Sequence, residues 1–400
     1  MSAPVRVGRT VRPVALPGDD RRRGFGWVAG VDVLLIAAAV ALAVIGTVLV
    51  WSATASRDDL TGGDPTAFLD RNGINLAIAL ALGAVMAATD RRWLRVWAPT
   101  LYGLAVLGLV LVLVPGVGAT INGSQSWLAV GGLSLQPAEL AKLGVVLMMA
   151  LVFAERAEAA MRSTVRPTDV VIALAAAAVP AALILAQPDL GTMMVLIAIV
   201  LGVLALAGVG VGWLLGLVAA GVGVIAVAIA TGFLHEYQLL RFEAFTDPSL
   251  DPRGAGYNTI QARVAIGNGG LWGQGLFHGT QTQAGFVPEQ HTDFVFTVAG
   301  EELGLVGAAV IVVLLGVVVW RCLRIAARAT DTFDRLAAGG VACWFGFQSF
   351  QNIGMSLGIM PVTGVPLPFV SYGGTALFSA AMAVGLVVAV GRRTGRIRRV

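Results

Sequence analysis

The densest run of reactive side chains lies between Phe286 and Glu302, where the chain reads F-V-P-E-Q-H-T-D-F-V-F-T-V-A-G-E-E. His291 and Asp293 stand inside it, His278 lies just before it, and an apolar helix is expected to begin directly after Asp293. A carboxylate held beside aromatic rings at the edge of an apolar helix is partly desolvated, which suits it to accepting a proton. Asp293 is therefore a candidate base. The competing reading is an interfacial loop whose acids face water while Phe294 and Phe296 anchor the helix end.

A second constellation is Q-P-A-E-L-A-K at 136–142. Pro137 suits the first position of a helix, and Glu139 falls near its positive dipole end. Lys142 then lies about 7 to 8 Å beyond the helix start, and at a spacing of three residues it shares a face with Glu139. A lysine inside an apolar helix costs on the order of 2.5 to 3.5 kcal/mol at a bilayer centre, so the only lysine of the chain needs a partner or a purpose. The two readings are a buried ion pair that fixes helix packing and a binding site. Asp189, in Q-P-D-L-G-T at 187–192, either caps a helix or belongs to the same site. Near the end, Pro361, Pro366 and Pro368 precede Ser371-Tyr372-Gly373-Gly374-Thr375. That segment reads as extended backbone lining a cavity, or as a kinked turn between helices.

The elements that must carry these residues follow from composition. Of 400 residues 57% are hydrophobic and only 12% charged, which excludes an ordinary soluble globule and predicts an all-α, polytopic membrane protein. Apolar runs of spanning length fall near 31–52, 74–90, 96–115, 137–154, 169–186, 191–208, 212–233, 298–320, 337–358 and 370–390, ten in all. The pair around Pro188 could be one broken helix; arginine placement favours two. Twenty-one arginines follow or precede the runs on one side, while Arg57, Arg71, Arg241, Arg253 and Arg263 fall on the other. The positive-inside rule then predicts both termini in the cytoplasm. Four Gly- and Pro-rich segments gather on the outer side: 116–136, 187–190, the long loop 234–297 between the seventh and eighth runs, and 359–369. Within the long loop, Ile260 and Val264 predict a short amphipathic helix ending at Gly267-Asn268-Gly269-Gly270.

Residues 1–26, with six arginines among Pro and Gly, read as a basic disordered tail, and 27–400 as one transmembrane domain. Cys322, placed in an Arg-rich loop, and Cys343, in an apolar helix, suggest neither disulfide nor zinc chemistry and read as packing residues. The glycine run fits no nucleotide-binding pattern, and nothing points to nucleic acid.

Taken together, Q-P-A-E-L-A-K, Q-P-D-L-G-T, D-P-x-x-D-P-x-G-A-G-Y at 247–257, G-T-Q-T-Q at 279–283, P-E-Q-H-T-D-F-V-F at 288–296, E-E-L-G-L-V-G at 301–307 and P-V-T-G-V-P-L-P-F-V-S-Y-G-G at 361–374 resemble the SEDS family (shape, elongation, division and sporulation). Q-P-D-L-G-T and V-P-L-P-F-V-S-Y-G-G resemble its rod-elongation branch, RodA, more than its division branch, FtsW. Ser126, where the family usually has arginine before Trp127, and Ala138, where it usually has serine, depart from the pattern. The resemblance implies a peptidoglycan glycosyltransferase that polymerises lipid II outside the membrane, beside a class B penicillin-binding transpeptidase in the same lipid bilayer. It implies Asp293 as general base. Glu139, Lys142, Asp189, Arg241, His291 and Ser371 become substrate-site candidates, with Lys142 and Arg241 directed at the phosphates. A divalent cation could share that task. A lipid II transporter is the rival from another class, because intramembrane charges and broken helices also mark transport paths.

Overall fold

A computed structural model describes residues 31–121, 124–130, 133–161, 164–231, 245, 247–251 and 254–397. The basic tail and Arg241 lie outside the described residues. The chain forms α1 (Val33–Thr54), α2 (Asp58–Thr61), α3 (Ala67–Ala88), α4 (Arg91–Leu113), β1 (Gly118–Ile121), β2 (Ser124–Val130), β3 (Leu133–Leu135), α5 (Pro137–Ala159) and α6 (Pro167–Ala186). Then come α7 (Leu190–Ala207), α8 (Val211–Ala230), α9 (Ala255–Asn268), α10 (Thr280–Ala284), α11 (Val295–Glu302), α12 (Gly304–Arg328), α13 (Thr332–Leu357) and α14 (Gly374–Ile397).

Eight of these helices are long and apolar enough to cross a membrane. α8, with 20 residues, and α13, with 26, complete the ten long helices expected. α13 is less apolar because Gln348, Ser349, Gln351, Asn352 and Ser356 occupy its final turns, all buried. Around Pro188 the chain makes two helices, since Asp189 caps α7 by accepting from Thr192 N–H at 2.9 Å. α9 ends where the glycines predict. Within 116–136, expected to be non-helical, the described residues form an antiparallel three-stranded sheet in the order β1-β2-β3.

Three boundaries differ from expectation. α3 already starts at Ala67, ahead of its apolar run, since its first turns carry the polar Asp70, Arg71, Asn72 and Asn75. Cys322 lies buried inside α12, since that helix runs through the arginines expected to form a loop. The run at 298–320 is two helices, broken at Gly304 with φ +67°. The backbone groups freed there are taken by a preceding loop: Gln274 and Gly275 N–H donate to Glu301 and Glu302 C=O at 2.9 and 3.0 Å, and Leu305 and Val306 N–H donate to Gly270 and Leu271 C=O at 2.9 and 3.1 Å.

The bundle is organised around α5 and α14, whose apolar windows are 83% and 72% buried, against 17% for α3 at the periphery. Small residues let the backbones approach: a Cβ on Gly385 of α14 would stand 2.2 Å from the Gly83 carbonyl of α3. At one end of the bundle, acids at helix starts meet arginines of neighbouring helices, as in Arg393–Asp334 at 2.7 Å, Arg91–Asp331 at 3.0 Å and Arg321 with Asp32. The loops that carry the candidate residues meet at the other end.

Candidate functional site

The extended segment 361–373 is the meeting point. Its prolines keep it out of helix, yet most of it is buried, so its carbonyls need partners. α13 supplies them from Gln348, Gln351 and Asn352, whose i, i+3, i+4 spacing puts three amides on one face. Gln348 Nε2 donates to Pro366 O at 2.8 Å, Gln351 Nε2 to Pro361 O at 3.1 Å, and Asn352 Nδ2 to Val365 O at 2.7 Å. The sequence reading missed this row; its signal was Q-S-F-Q-N inside an apolar helix.

Asp293 is presented to the segment by a tight turn. Glu289, at φ +50°, offers its carbonyl to the N–H groups of Thr292, Asp293 and Phe294 at 3.0 to 3.2 Å. Phe294 then disappears into a small core with Ala262, Ala265 and Val287, which fixes the start of α11. Asp293 itself is half-buried, and its carboxylate lies against exposed Gly364, where an added Cβ would come within 3.1 Å of Oδ2. Asn352 Nδ2 also donates to Asp293 O at 2.7 Å. The half-buried carboxylate therefore lies beside the exposed part of the extended segment.

His291, two residues earlier, packs edge-on to Phe68 at 5.4 Å and near Tyr372 at 6.0 Å, and its carbonyl accepts from Tyr372 N–H at 2.9 Å. Burial pushes its pKa below the usual 6.5, opposed by Glu289 and helped by Arg57, so the imidazole is neutral at pH 7. Arg71 stands 5.7 Å over Phe68 and puts its charge beside Tyr372. It is the described cation most directly associated with this cluster, and the sequence places it on the outer side without making it a site candidate, because the expected helix begins only at 74.

Lys142 is brought to the back of the segment. Its Nζ donates to Glu139 Oε1 at 2.7 Å and to Gln348 Oε1 at 2.8 Å, and lies 5.1 Å over the Trp344 ring. Both charges are enclosed, with side chains 0% and 2% exposed. In this arrangement the ammonium has no open face for a phosphate, because α13 and α14 close over it. Asp189 is a cap whose carboxylate also receives Thr192 Oγ1 at 2.8 Å and Gln136 Nε2 at 3.4 Å, tying the 136–142 motif to α7. Its neighbour Gly191 packs so closely on Thr363 that a Cβ would stand 2.5 Å from that carbonyl. Ser371 Oγ accepts from Leu367 N–H at 2.8 Å and closes the turn ending the segment. Ser126 and Ala138 are both buried.

The paired acids after Asp293 hold the adjoining loop. Buried Glu301 accepts from Gln281 and Thr282 N–H at 2.8 Å each and from the Thr282 hydroxyl at 2.7 Å, while Ser52 of α1 donates to Glu302 at 2.7 Å. Among the described residues no group of three or more His, Cys, Asp or Glu could hold a metal ion. Beside the site, an apolar cavity of about 250 Å³ runs between α1, α3 and α14, lined by Ile36, Leu76, Leu80, Phe369, Leu377 and Val388. Its character suits a hydrocarbon chain.

The site can thus offer a half-buried carboxylate, an arginine in the neighbouring aromatic cluster and an apolar cavity that reaches Phe369. Comparison with known proteins agrees in extent. The cell cycle protein family model for FtsW, RodA and SpoVE matches residues 32–395. The chain is 39% identical over 361 residues to the peptidoglycan glycosyltransferase MrdB of Escherichia coli (strain K12), covering 90% of this chain and 93% of that protein. It is 38% identical over 387 residues to the probable peptidoglycan glycosyltransferase FtsW of Thioalkalivibrio sp. (strain K90mix), covering 95% and 94%. Among solved structures, the rod shape determining protein RodA of Thermus thermophilus matches with a TM-score of 0.65 at 32% identity, over 90% of this chain and 97% of that one. A chain from a structure described as the coordination of polymerization and crosslinking by a peptidoglycan synthase complex matches with a TM-score of 0.76 at 33% identity, over 91% and 98%. With ten long helices, a buried proline-rich segment and a match over nearly its whole described length, the chain belongs to the FtsW/RodA/SpoVE cell cycle protein family, a family of multi-pass membrane proteins.

Proposed function

We propose that this chain is a peptidoglycan glycosyltransferase that polymerises lipid II at the outer face of the cytoplasmic membrane, in cell elongation. The observation that carries the reading is Asp293, held by the Glu289 turn and lying beside exposed Gly364. The names of the relatives support the reaction class.

In this reading Asp293 takes the proton from the acceptor's 4-hydroxyl as that oxygen attacks the donor's anomeric carbon. The new C–O bond forms on the face opposite the leaving group, and the bond to undecaprenyl pyrophosphate breaks, so configuration inverts. Arg71, with Arg241 from the long loop, meets the charge growing on the pyrophosphate. The polyprenyl chains stay in lipid and in apolar channels such as the one ending at Phe369. A class B penicillin-binding transpeptidase is the expected partner, in keeping with the synthase complex whose chain this one resembles. Elongation rather than division rests on the motifs at 187–192 and 365–374.

Purified protein and partner, given authentic lipid II, should yield a ladder of glycan strands that a muramidase cutting β-1,4 bonds degrades. An absence of polymer under conditions where lipid II binds would remove the reading. The site must also face outward. With Cys322 and Cys343 replaced by serine, a cysteine at Trp272, which is 79% exposed, should react with an impermeant maleimide in intact cells, and one at Arg328 should not. Labelling at Arg328 instead would put Asp293 on the wrong side.

A further inference from the structure

We infer that the amide row of α13 is a positioning device for the reaction, with Asn352 as the residue that sets the place of Asp293. The inference rests on Asp293 as the base. One atom, Asn352 Nδ2, donates to Asp293 O and to Val365 O, each at 2.7 Å. It therefore pins the turn that carries the base and the segment that floors the site to a common point. Gly364, next to Val365, sets the remaining distance from the other side, since its α-carbon lies where a side chain would push on Asp293 Oδ2.

The rest of the row fixes the segment along its length. Gln351 Nε2 donates to Pro361 O and, at 3.0 Å, to Thr363 Oγ1. The orientation of Gln348 is determined by its neighbours: its oxygen receives Lys142 Nζ at 2.8 Å and Trp344 Nε1 at 2.6 Å, so its nitrogen must turn to Pro366 O. Lys142 thereby acts on the floor of the site through Gln348. None of the three amides can touch substrate, because Asn352 and Gln351 are 0% and Gln348 2% exposed. Their effect on the reaction must pass through the groups they hold.

A base displaced by about 1 Å costs on the order of 100-fold in rate, while remote contacts to the substrate are kept. Asn352→Ala should therefore lower kcat for lipid II polymerisation about 100-fold and leave KM within about twofold, in full-length protein with its transpeptidase partner. Gly364→Ala should give the same split by a different route, through a Cβ against the carboxylate and a backbone held at φ +70°. It serves as the second variant should Asn352→Ala fail to insert. Wild-type kcat in either folded variant, or a raised KM with kcat unchanged, would overturn the inference. Asp293→Asn in parallel separates the two readings: an inactive Asp293→Asn beside a normal Asn352→Ala sinks the positioning role alone, whereas an active Asp293→Asn sinks the base itself.

Discussion

Asp293→Asn should give a folded, membrane-inserted protein that makes no detectable glycan from lipid II, even with its transpeptidase partner present. The amide keeps the shape of the side chain, and the backbone bonds that hold the turn do not involve the carboxylate. What disappears is the capacity to take a proton from the acceptor hydroxyl, an effect of roughly 10²- to 10⁴-fold in general-base catalysis. The comparison should be made at matched protein levels, with thermal melting in detergent to show that the fold survives. Near-normal polymer from this variant would end the assignment of Asp293 as base. A loss of lipid II binding with it would instead make the carboxylate a binding group.

Removing one partner of the Glu139–Lys142 pair should be among the changes most damaging to folding that a single substitution in the bundle can make. Both side chains are enclosed, and the bond between them is 2.7 Å long. Lys142→Met leaves the Glu139 carboxylate buried with, among the described residues, only Ser379 Oγ at 3.5 Å, and Glu139→Gln leaves an ammonium in a lipid-surrounded core. A buried charge stripped of its partner costs about 3 to 5 kcal/mol, whereas replacing both members with apolar or neutral groups can be close to neutral. Glu139→Gln/Lys142→Met together should therefore melt closer to wild type than either single variant. The double variant should still lose part of its polymerising activity, because Gln348 keeps only one of the two bonds, that from Trp344 Nε1, that turn its amide toward Pro366. Full activity in a stable Lys142→Met protein would leave the lysine with no role in the reaction.

Much of the fold is legible from chain chemistry. The ten long helices follow from apolar runs, and the gathering of the Gly- and Pro-rich segments at one end follows from arginine placement. The Glu139–Lys142 contact follows from helical spacing, and Asp189 as a cap from its place before α7. Less legible is what depends on polar groups inside helices. The early turns of α3, with Phe68 and Arg71, are too polar to read as part of an apolar run, and the break at Gly304 is marked only by the Glu301-Glu302 pair in a run otherwise apolar. The amide row was readable only as a weakness in the apolar pattern of α13, because its meaning depends on a segment 10 to 18 residues further on. Lys142 shows the limit most clearly: its spacing gave its partner, yet only three-dimensional packing shows that α13 closes over it.

The sharpest test separates covalent change from movement. Polymerisation joins two lipid II molecules, and transport returns each one unaltered on the other side of a bilayer. Detergent micelles have no sides, so transport cannot register there while glycan formation still can. The decisive measurement is therefore the product formed from authentic lipid II by the purified chain and its transpeptidase partner in micelles, wild type against Asp293→Asn. Glycan strands from the wild type and none from the variant are the expected result. No polymer from the wild type, together with Asp293-dependent movement of lipid II between leaflets in liposomes, would contradict it and make the protein a transporter.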